Sequence, residues 1–413
     1  MDEKRLYDLF HAQLRAVREL LPADQQTTVT LLEQPMQEII VHFPCVVDGR
    51  VQLLKGYRVQ HSRLLGPCKG GIRYHPDVYL DECKALSAWM TVKNALNHLP
   101  LGGGKGALKL DPAQYDRATL HRISRAFCRA IRPHIGCHLD VPAPDVGTDA
   151  AIMDVMTDEF NRFAPQRDLA VFTGKSVECG GSEGRSAATG RGVMICVREW
   201  ARKTKRNLQG STFVVQGFGK VGAHAARLLV ELGMVCVGVA DASGHLVCDE
   251  GFNVHRVLEY VRTHGRVQGY PNGTVVDRDA FFSTRCDVFV PAALELQITA
   301  KEAPLMQCTA VFEAANGPTD ADGERILRER KVQVFADVLV NSGGVIVSFF
   351  EYTQNRRDEH WSEEEVNVRL DDTLTATFER VEGAREALQC GHREACFALA
   401  IARLHHVATL QLE

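Results

Sequence analysis

The stretch STFVVQGFGKVG, residues 211–222, decides the fold of the second half of the chain. An apolar strand pattern at 212–215 leads directly into the motif G-x-G-x-x-G, and a helical pattern follows and ends at Gly233. A second apolar run then ends at the acidic residue Asp241. A strand, a glycine-rich turn, a helix, a second strand and a terminal acid in this order predict a dinucleotide-binding fold.

The glycine-rich turn is suited to binding a pyrophosphate. Glycines let phosphates approach the backbone N–H groups at the helix N-terminus, where the helix dipole favours anions. The carboxylate of Asp241 can accept hydrogen bonds from ribose hydroxyls and would repel a 2′-phosphate, so NAD is the favoured cofactor. Ser243 could accommodate a phosphate, so NADP stays possible. The predicted cofactor loop comprises Gly217, Phe218, Gly219, Lys220, Val221 and Gly222.

Strand-like runs continue through this half of the chain at CDVFVPA (286–292), AVFEAAN (310–316) and VQVFADV (332–338). Segments of helix length separate them, which predicts a mostly parallel, doubly wound, Rossmann-like sheet. Beyond the last run, Asn341 and a Gly–Gly pair indicate backbone close to the cofactor. A helix that carries Ser348 follows.

The first half of the chain has a different pattern. Apolar residues recur at helical spacing from Leu6 to Leu20, and strand-like runs follow at 38–47 and 51–61. The runs are joined at Asp48–Gly49, a hairpin signal. This order predicts an α/β domain with a mixed or antiparallel sheet.

Lysines beside glycines mark candidate carboxylate sites in this half. In MTVKNALNHLPLGGGKG, residues 90–106, Lys93 shares a helical face with Met90, and Lys105 emerges from a predicted glycine-rich turn. Lys69, in GPCKGGIRYHP, is predicted to lie in a similar turn directly after a strand. Converging ammonium groups suit a carboxylate, and a desolvated lysine can exchange protons near neutral pH. The alternative is solvated lysines on a helix and a loop.

An acid follows in LDVPAPDVGTD, residues 139–149. Its prolines hold Asp145 in a rigid, non-helical segment before a helix resumes near Ala150. Asp145 is therefore either a carboxylate placed for proton transfer or simply the N-cap of that helix.

Composition excludes several classes of protein. The net charge of −4 argues against nucleic acid or anionic membrane as the main partner. The 13 cysteines include no C-x-x-C pair and are expected to be reduced thiols. The cluster His134, Cys137 and His138 lacks a second ligand group, so no metal is expected. The N-terminus has no apolar signal segment and no run approaches the roughly 18 apolar residues of a membrane span, so a cytoplasmic protein is expected.

Several motifs together resemble the glutamate dehydrogenase family, which includes leucine, valine and phenylalanine dehydrogenases. They occur in family order between about residues 38 and 355. The matching motifs are GPCKGGIRYHP, KNALNHLPLGGGKG, DVPAPDVGT, FTGKSVECGGSEGRSAATGRGV, GFGKVG, PAALE, EAANGPT and NSGGVIVSFFE.

The resemblance implies a role for the candidate residues of the substrate site. Lys69 and Ser348 would hold the side-chain carboxylate of glutamate, and Lys93, with Met90 on its face, would receive the α-carboxylate. Lys105 would be the catalytic lysine of lowered pKa that manages the attacking water. Asp145 would carry protons to and from the amino group.

The resemblance also extends to the cofactor and the assembly. Thr189 would lie near the nicotinamide carboxamide, with Asn316 and Asn341 also at the cofactor. A homohexamer is implied, with a cleft between a substrate-binding and oligomerisation domain at 1–180 and a dinucleotide-binding domain at 181–359. Helices at about 360–413 would join the first domain.

The implied reaction is the reversible, NAD(P)-dependent oxidative deamination of L-glutamate to 2-oxoglutarate and ammonia. Relatives acting on branched or aromatic amino acids have apolar residues in place of Lys69 and Ser348, and a lysine facing an aliphatic side chain would be buried without a partner. Glutamate is therefore favoured over leucine, valine or phenylalanine. A further alternative is a non-catalytic paralogue that binds dinucleotide or 2-oxoglutarate and regulates a partner.

The chain departs from the family pattern at positions close to the implied cofactor. Lys220 replaces the Asn of many relatives, Leu296 replaces Asn, Ala314 replaces Gly, and Ser342 replaces Ala. These changes bear on the affinity for the cofactor, whereas both catalytic candidates, Lys105 and Asp145, are retained.

Overall fold

The computed structural model describes residues 5–412 of the chain. In chain order its helices are α1 (Arg5–Arg18), α2 (Gln26–Leu32), α3 (Leu80–Leu96), α4 (Arg117–Ile131), α5 (Ala150–Asn161), α6 (Ala188–Thr204), α7 (Lys220–Glu231), α8 (Val254–His264), α9 (Arg278–Phe282), α10 (Ala321–Glu329), α11 (Asp337–Val340), α12 (Gly343–Arg357), α13 (Glu363–Leu388) and α14 (His392–Leu412). Its strands are β1 (Gln37–Val47), β2 (Arg50–Ser62), β3 (Cys68–Tyr74), β4 (Gly102–Leu108), β5 (Asp140–Pro144), β6 (Thr212–Gln216), β7 (Val235–Asp241), β8 (Gly244–Val247), β9 (Thr274–Val276), β10 (Arg285–Pro291), β11 (Gln307–Phe312) and β12 (Gln333–Phe335).

The described chain divides into two compact units. The first comprises the residues up to Arg185, Val345–Asn367 and those from Phe397 onward; the second comprises Ser186–Gly344 and Val368–Cys396. The boundaries predicted from the sequence differ from those of the compact units: they place 345–359 in the dinucleotide-binding domain and all of 360–413 in the substrate-binding domain. A compact unit is not necessarily a functional domain, so the predicted domain boundaries stay a prediction.

A five-stranded mixed sheet, in the order β1-β2-β4-β3-β5, is the centre of the first unit. The predicted hairpin is confirmed: β1 and β2 pair antiparallel, and the turn between them places Asp48 and Gly49 at φ 50° and 73°. Positive φ at both positions is the signature of a tight turn that matches the twist of the strands. The two strands lie at one edge of the sheet, which is mixed, one of the two predicted alternatives.

The glycine-rich segments of the first unit are strands, not turns. Lys69 lies in β3 and Lys105 in β4, adjacent parallel strands inside the sheet, so the predicted turns at both lysines are wrong. A Cβ on Gly70 would lie 1.5 Å from the carbonyl oxygen of Gly104, and one on Gly103 would lie 2.2 Å from that of Ser87 in α3. The glycines therefore permit close approach of one backbone to another within the protein.

Helices α4 and α5 cover one face of this sheet. Phe127 on α4 stacks on Phe43 of β1, with ring centroids 5.7 Å apart, and a Cβ on Gly56 would lie 2.4 Å from the Phe127 ring. Asp116 and Asp149 cap the two helices by accepting hydrogen bonds from Thr119 N and Ile152 N. The core on this face is thus apolar and closely packed.

A seven-stranded sheet, in the order β12-β11-β10-β6-β7-β8-β9, is the centre of the second unit. Strands β6, β7, β10, β11 and β12 pair in parallel, whereas β8 and β9 pair antiparallel at one edge. The mostly parallel, doubly wound sheet predicted from the sequence is confirmed. Chain order reverses at β6, where β7 continues on one side and β10 on the other, which is where such sheets bind ligands.

Long helices follow the second sheet along the chain. The helices expected at about 360–413 correspond to α13 and α14, which a short break separates. Within residues 5–412, no helix has the length and apolar character that crossing a bilayer demands.

Candidate active site

A buried ion pair joins Lys105 and Asp145. Nζ of Lys105 lies 2.5 Å from Oδ2 of Asp145, and the Lys105 residue is 4% exposed. Gly71 provides the room for this pair, because a Cβ there would lie 2.8 Å from Cβ of Asp145. The two residues proposed for catalysis are therefore in direct contact.

A second cation, Arg73, completes the surroundings of Asp145. Its Nε donates to Oδ1 of Asp145 at 2.8 Å, and its Nη1 donates to Oε1 of Glu82 at 2.5 Å. Burial by itself would raise the pKa of Asp145, but Lys105 and Arg73 outweigh that effect and hold the pKa well below its usual range. Asp145 is thus an ionised carboxylate with a cation on each oxygen.

Asp145 is held outside the helix that follows it. Its backbone N–H donates to Oγ1 of Thr148 at 2.8 Å, and Thr148 in turn donates to the carbonyl of Ile72 at 2.9 Å. The N-cap of α5 is Asp149, so the alternative that Asp145 is a helix cap is wrong. The carboxylate of Asp145 instead turns to the side of the sheet that carries Lys105.

Lys69 lies on the same side of the sheet as Lys105. It pairs in register with Gly103 of β4, two residues before Lys105, and side chains two apart along a strand share a face. Lys69 is 1% exposed, and within residues 5–412 its ammonium has neither a hydrogen bond nor an ion pair. Burial, and next the charge of Arg185, lower the pKa of Lys69 well below its usual value. The fold thus encloses an amine that no carboxylate contacts, although Glu351 and Asp140 oppose the lowering of its pKa from a distance.

Arg185 is a residue that the sequence analysis missed. Its Nε donates to Oγ of Ser348 at 3.0 Å, which places the guanidinium against the predicted substrate serine. Burial also lowers the pKa of Arg185. The residue falls in the matched motif FTGKSVECGGSEGRSAATGRGV, but several other charged residues share that motif, so its charge alone did not indicate it.

Helix α3 brings Lys93 to the sheet. A Cβ on Gly103 would lie 2.5 Å from the backbone nitrogen of Thr91, so α3 packs closely on β4. Lys93 is buried, whereas Met90 is partly exposed on the preceding turn. Asn94 reinforces the contact by donating to the carbonyl of Gly102 at 2.6 Å.

The glycine-rich loop of the second unit has the shape that a pyrophosphate requires. Gly217 has φ +100°, and a Cβ on Gly222 would lie 2.0 Å from the carbonyl oxygen of Gly217. A Cβ on Gly219, by contrast, would meet no described atom within 4 Å, so the protein itself does not require glycine there. The N-cap of α7 is Gly219, which has no side chain to cap the first N–H groups of the helix, and a helix N-terminus of this kind attracts anions. The loop therefore fits a dinucleotide.

Other predicted loop residues have internal roles. The backbone nitrogens of Gly217 and Phe218 both donate to the carbonyl of Ala240, and the Phe218 side chain is buried. Lys220 and Val221 form the first turn of α7. The chain entering the helix is thus fixed to the end of β7.

Asp241 is engaged within the protein. Its Oδ1 accepts hydrogen bonds from the backbone and the hydroxyl of Ser243, and its Oδ2 accepts one from Val267 N at 2.8 Å. A carboxylate has about four lone pairs, so room for one ribose hydroxyl remains. The Ser243 hydroxyl is already used, because it donates to Asp241 and accepts from Gln268 N at 3.1 Å.

The remaining cofactor candidates lie at the carboxyl edge of the same sheet. Asn341 Nδ2 donates to Ala315 O and to Asn316 Oδ1, both at 3.1 Å. Thr189 lies in the first turn of α6, beside Gly190, whose missing Cβ lets α6 approach Ala225 of α7. The structure thus brings Asn316 and Asn341 into contact.

Among the described residues, no group of His, Cys, Asp or Glu side chains could hold a metal ion. His134, Cys137 and His138 form no such group. The cysteines, which the structure describes in full, are all free thiols.

A dinucleotide fold and a buried lysine–carboxylate pair in one chain are typical of nucleotide-dependent dehydrogenases. The family described as Glutamate/Leucine/Phenylalanine/Valine dehydrogenase matches residues 180–411, and its dimerisation domain matches residues 35–162. The chain belongs to this family.

Relatives match over nearly the whole chain. A glutamate dehydrogenase of Thermotoga maritima is 41% identical, covering 98% of this chain and 97% of its own. A catabolic NAD-specific glutamate dehydrogenase of Bacillus subtilis is 39% identical, covering 92% and 90%.

Solved structures agree with these matches. A hetero-hexameric glutamate dehydrogenase of Thermus thermophilus in a Leu-bound form has a TM-score of 0.95 and 31% identity, covering 99% of this chain and 98% of its own. A glutamate dehydrogenase of Peptoniphilus asaccharolyticus has a TM-score of 0.85 and 33% identity, covering 98% and 99%.

Proposed function

We propose that this chain is an NAD-dependent glutamate dehydrogenase that catalyses the reversible oxidative deamination of L-glutamate to 2-oxoglutarate and ammonia. The observation that carries the proposal is the environment of Lys69. A buried ammonium without an anion costs several kcal/mol, and a substrate carboxylate would remove that cost. Arg185 and the hydroxyl of Ser348 would supply further donors to the same carboxylate.

An aliphatic substrate would leave this subsite unfilled. Leucine, valine and phenylalanine carry no side-chain carboxylate, so Lys69 would stay buried and unpaired in their complexes. Sites built to bind a polar group reject analogues that lack it by large factors, because the protein's polar groups then remain unsatisfied. Glutamate is the amino acid that this arrangement selects.

The reacting carbon would be served by the other residues of the site. Lys93 would bind the α-carboxylate, with Met90 covering the substrate, and Asp145 would accept a proton from the substrate ammonium. Bound NAD would supply the acceptor for the hydride that leaves Cα, producing an imine. Lys105 would then hold the attacking water, and Asp145 would pass protons between that water and the departing amine.

The cofactor loop and Asp241 support NAD. The predicted contacts are Gly217, Phe218, Gly219, Lys220, Val221, Gly222, Asp241, Thr189, Asn316 and Asn341. Because Asp241 is an acidic residue and the Ser243 hydroxyl is already used, a 2′-phosphate would meet repulsion and no free hydroxyl. The Bacillus subtilis relative is named as NAD-specific. A homohexamer is part of the proposal, and the match to the dimerisation domain supports an oligomer. The cytoplasm is the proposed location.

The test is steady-state oxidation of L-glutamate with NAD and separately with NADP, beside L-leucine. The wild type should turn over glutamate with NAD, and Lys105→Ala should lose that activity while binding NAD normally. Turnover of leucine without turnover of glutamate would contradict the assignment of Lys69, Arg185 and Ser348. A failure to oxidise any of these substrates would favour the non-catalytic alternative.

A further inference from the structure

A second buried carboxylate, Glu351, lies one helical turn after Ser348 on α12. Its Oε1 lies 2.7 Å from Nζ of Lys175, and both side chains are 0% exposed. Its Oε2 accepts a hydrogen bond from Gly174 N at 2.7 Å, and its Oε1 accepts another from Lys175 N at 3.3 Å. A single side chain of α12 thus binds the backbone and the side chain of one short segment.

That segment packs directly on β5, the strand that leads to Asp145. Gly174 has φ +77°, and a Cβ there would lie 2.4 Å from Cδ of Pro144. The preceding residue, Thr173, donates its backbone N–H to the carbonyl of Pro142 at 3.0 Å. The contacts of Glu351 therefore connect the helix that carries Ser348 to the residue immediately before the proposed catalytic acid.

The same face of α12 continues to contact this part of the chain. Gln354 donates to Oγ of Ser182 at 3.0 Å, and Asn355 donates to the carbonyl of Gly180 at 2.7 Å. At the other end of the face, Ser348 accepts from Arg185. Residues 174–185 are thus fixed to successive turns of α12. Among the contacts described above, the one between Glu351 and Lys175 is an ion pair.

The charge of Glu351 acts on the site as well, because it opposes the lowering of the pKa of Lys69 and of Arg185. Lys175 weakens that effect, because its charge is in contact with that of Glu351. Lys175 is itself fixed, since its ammonium also donates to the carbonyl of Phe172 at 2.6 Å. The pair acts on the site by holding α12 and the segment in one position.

We propose that Glu351 is a positioning residue for the side-chain carboxylate of the substrate, because it fixes Ser348 and Arg185 relative to Lys69. The inference rests on the proposed function and adds a determinant of substrate specificity that touches no substrate atom. If α12 were held less firmly, the hydrogen bonds to the side-chain carboxylate would weaken more than the contacts to the rest of the amino acid. Discrimination for glutamate is therefore the property that Glu351 controls.

The test compares kcat/KM for L-glutamate with kcat/KM for L-norvaline, an amino acid of similar length without the side-chain carboxylate. Two variants are used: Glu351→Asp, which keeps the charge but shortens the reach, and the double variant Lys175→Met with Glu351→Gln, which keeps the net charge but removes the ion pair. The ratio of the two kcat/KM values should fall by about tenfold in both, as expected for the loss of one charged hydrogen bond.

The matched control is Asp154→Asn. Asp154 accepts a hydrogen bond from Ser176 N at 3.0 Å, so it fixes the same segment without contacting α12 through that bond. This variant should change both kcat/KM values by the same factor. An equal fall of the specificity ratio in the control, or a wild-type ratio in Glu351→Asp, would overturn the inference.

Turnover of glutamate by the wild type distinguishes failure of this inference from failure of the proposed function on which it rests. Absence of glutamate turnover in the wild type would overturn the proposed function, and the inference with it. Normal wild-type turnover together with an unchanged ratio in Glu351→Asp would overturn the inference alone.

Discussion

Asp145 receives Lys105 on one carboxylate oxygen, at 2.5 Å, and Arg73 on the other, at 2.8 Å. The two cations have different surroundings. Arg73 is also bound by Glu82 and stays protonated at every relevant pH, so it holds the carboxylate in place. Lys105 has only Asp145 as an ion-pair partner among the described residues. Under the proposed function, Lys105 and Asp145 are the pair that moves protons.

Asp145→Asn should abolish most of the activity while leaving substrate binding largely intact. The amide has nearly the same shape but cannot accept a proton at neutral pH, and losses from removing a general base are about 10² to 10⁴ in kcat. Steady-state kinetics with L-glutamate and NAD would measure this. Asp149→Asn is the matched control, because Asn also caps helices and α5 should remain intact. A kcat within a few-fold of the wild type would remove Asp145 from the mechanism.

Lys69→Leu should lower the preference for glutamate over amino acids without a side-chain carboxylate, and it should also raise the free energy of unfolding. Replacing an unpaired buried cation by an apolar group of similar length removes a desolvation cost, so the free energy of unfolding should increase by about 1 kcal/mol or more. The kcat/KM ratio of L-glutamate to L-norvaline should fall steeply in the same variant. Urea unfolding and kinetics would test both, with the exposed Lys109→Leu as control. Lower stability in Lys69→Leu would mean that Lys69 has an anionic partner in the free protein.

The parts of this molecule that could be predicted from the sequence depend on local spacing. The hairpin at Asp48–Gly49, the glycine-rich loop before α7 and the strand that ends at Asp241 each occupy a short stretch. Their backbone geometry follows from the residues within it.

The glycines beside Lys69 and Lys105 could not be explained from their own stretch of sequence. Each is needed because backbone from another segment passes too close for a side chain: the carbonyl oxygen of Gly104 lies against Gly70, and α3 lies against Gly103. The contact of Arg185 with Ser348 joins residues far apart in the chain, so no local pattern indicates it.

Gly219→Ala and Gly222→Ala should separate cofactor binding from folding. Gly219 has φ −81° and ψ −162°, which alanine can adopt, and its Cβ would enter open space. Gly219→Ala should therefore fold normally and raise the KM for NAD by about tenfold or more. Gly222→Ala should reduce stability, because its Cβ would lie 2.0 Å from the Gly217 carbonyl oxygen.

The measurements for this pair are thermal unfolding and the KM for NAD. An unchanged KM in Gly219→Ala would show that the space above α7 is not where the pyrophosphate binds. Equal stability of the two variants would contradict the backbone geometry at Gly222.

Leu296→Asn should stabilise the protein. Leu296 has φ +54°, a left-handed conformation that costs a residue with a large side chain about 1 kcal/mol and that asparagine adopts more readily. Leu296 is only partly exposed, so some apolar burial is lost, and the net gain should be below that figure. Leu294→Asn, at an exposed neighbour outside the left-handed region, is the control and should have no stabilising effect. A lower urea midpoint for Leu296→Asn would show that packing at this position outweighs backbone strain.

His61 should make the fold sensitive to mild acid. The ring is buried and neutral at pH 7, so Nε2 donates to the carbonyl of Leu32 at 3.0 Å and Nδ1 is left to accept from Oγ1 of Thr91 at 2.8 Å. Burial lowers the pKa of His61 from 6.5 to about 4. The unfolded chain therefore binds a proton below about pH 6.5, whereas the folded chain does so only near pH 4, and stability falls as the pH drops through that window. Between pH 7 and pH 5 the loss from this one group should be about 2 kcal/mol.

Urea unfolding of the wild type and of His61→Gln at pH 7 and pH 5 would measure this dependence. The variant lacks the titrating ring, so the difference in its stability between the two pH values should be smaller than in the wild type by that amount. His42→Gln, at an exposed histidine in the same unit, is the control and should keep the wild-type difference. If His61→Gln shows the full wild-type dependence on pH, the acid sensitivity arises from other groups, and the neutral imidazole contributes to the fold only through its two hydrogen bonds.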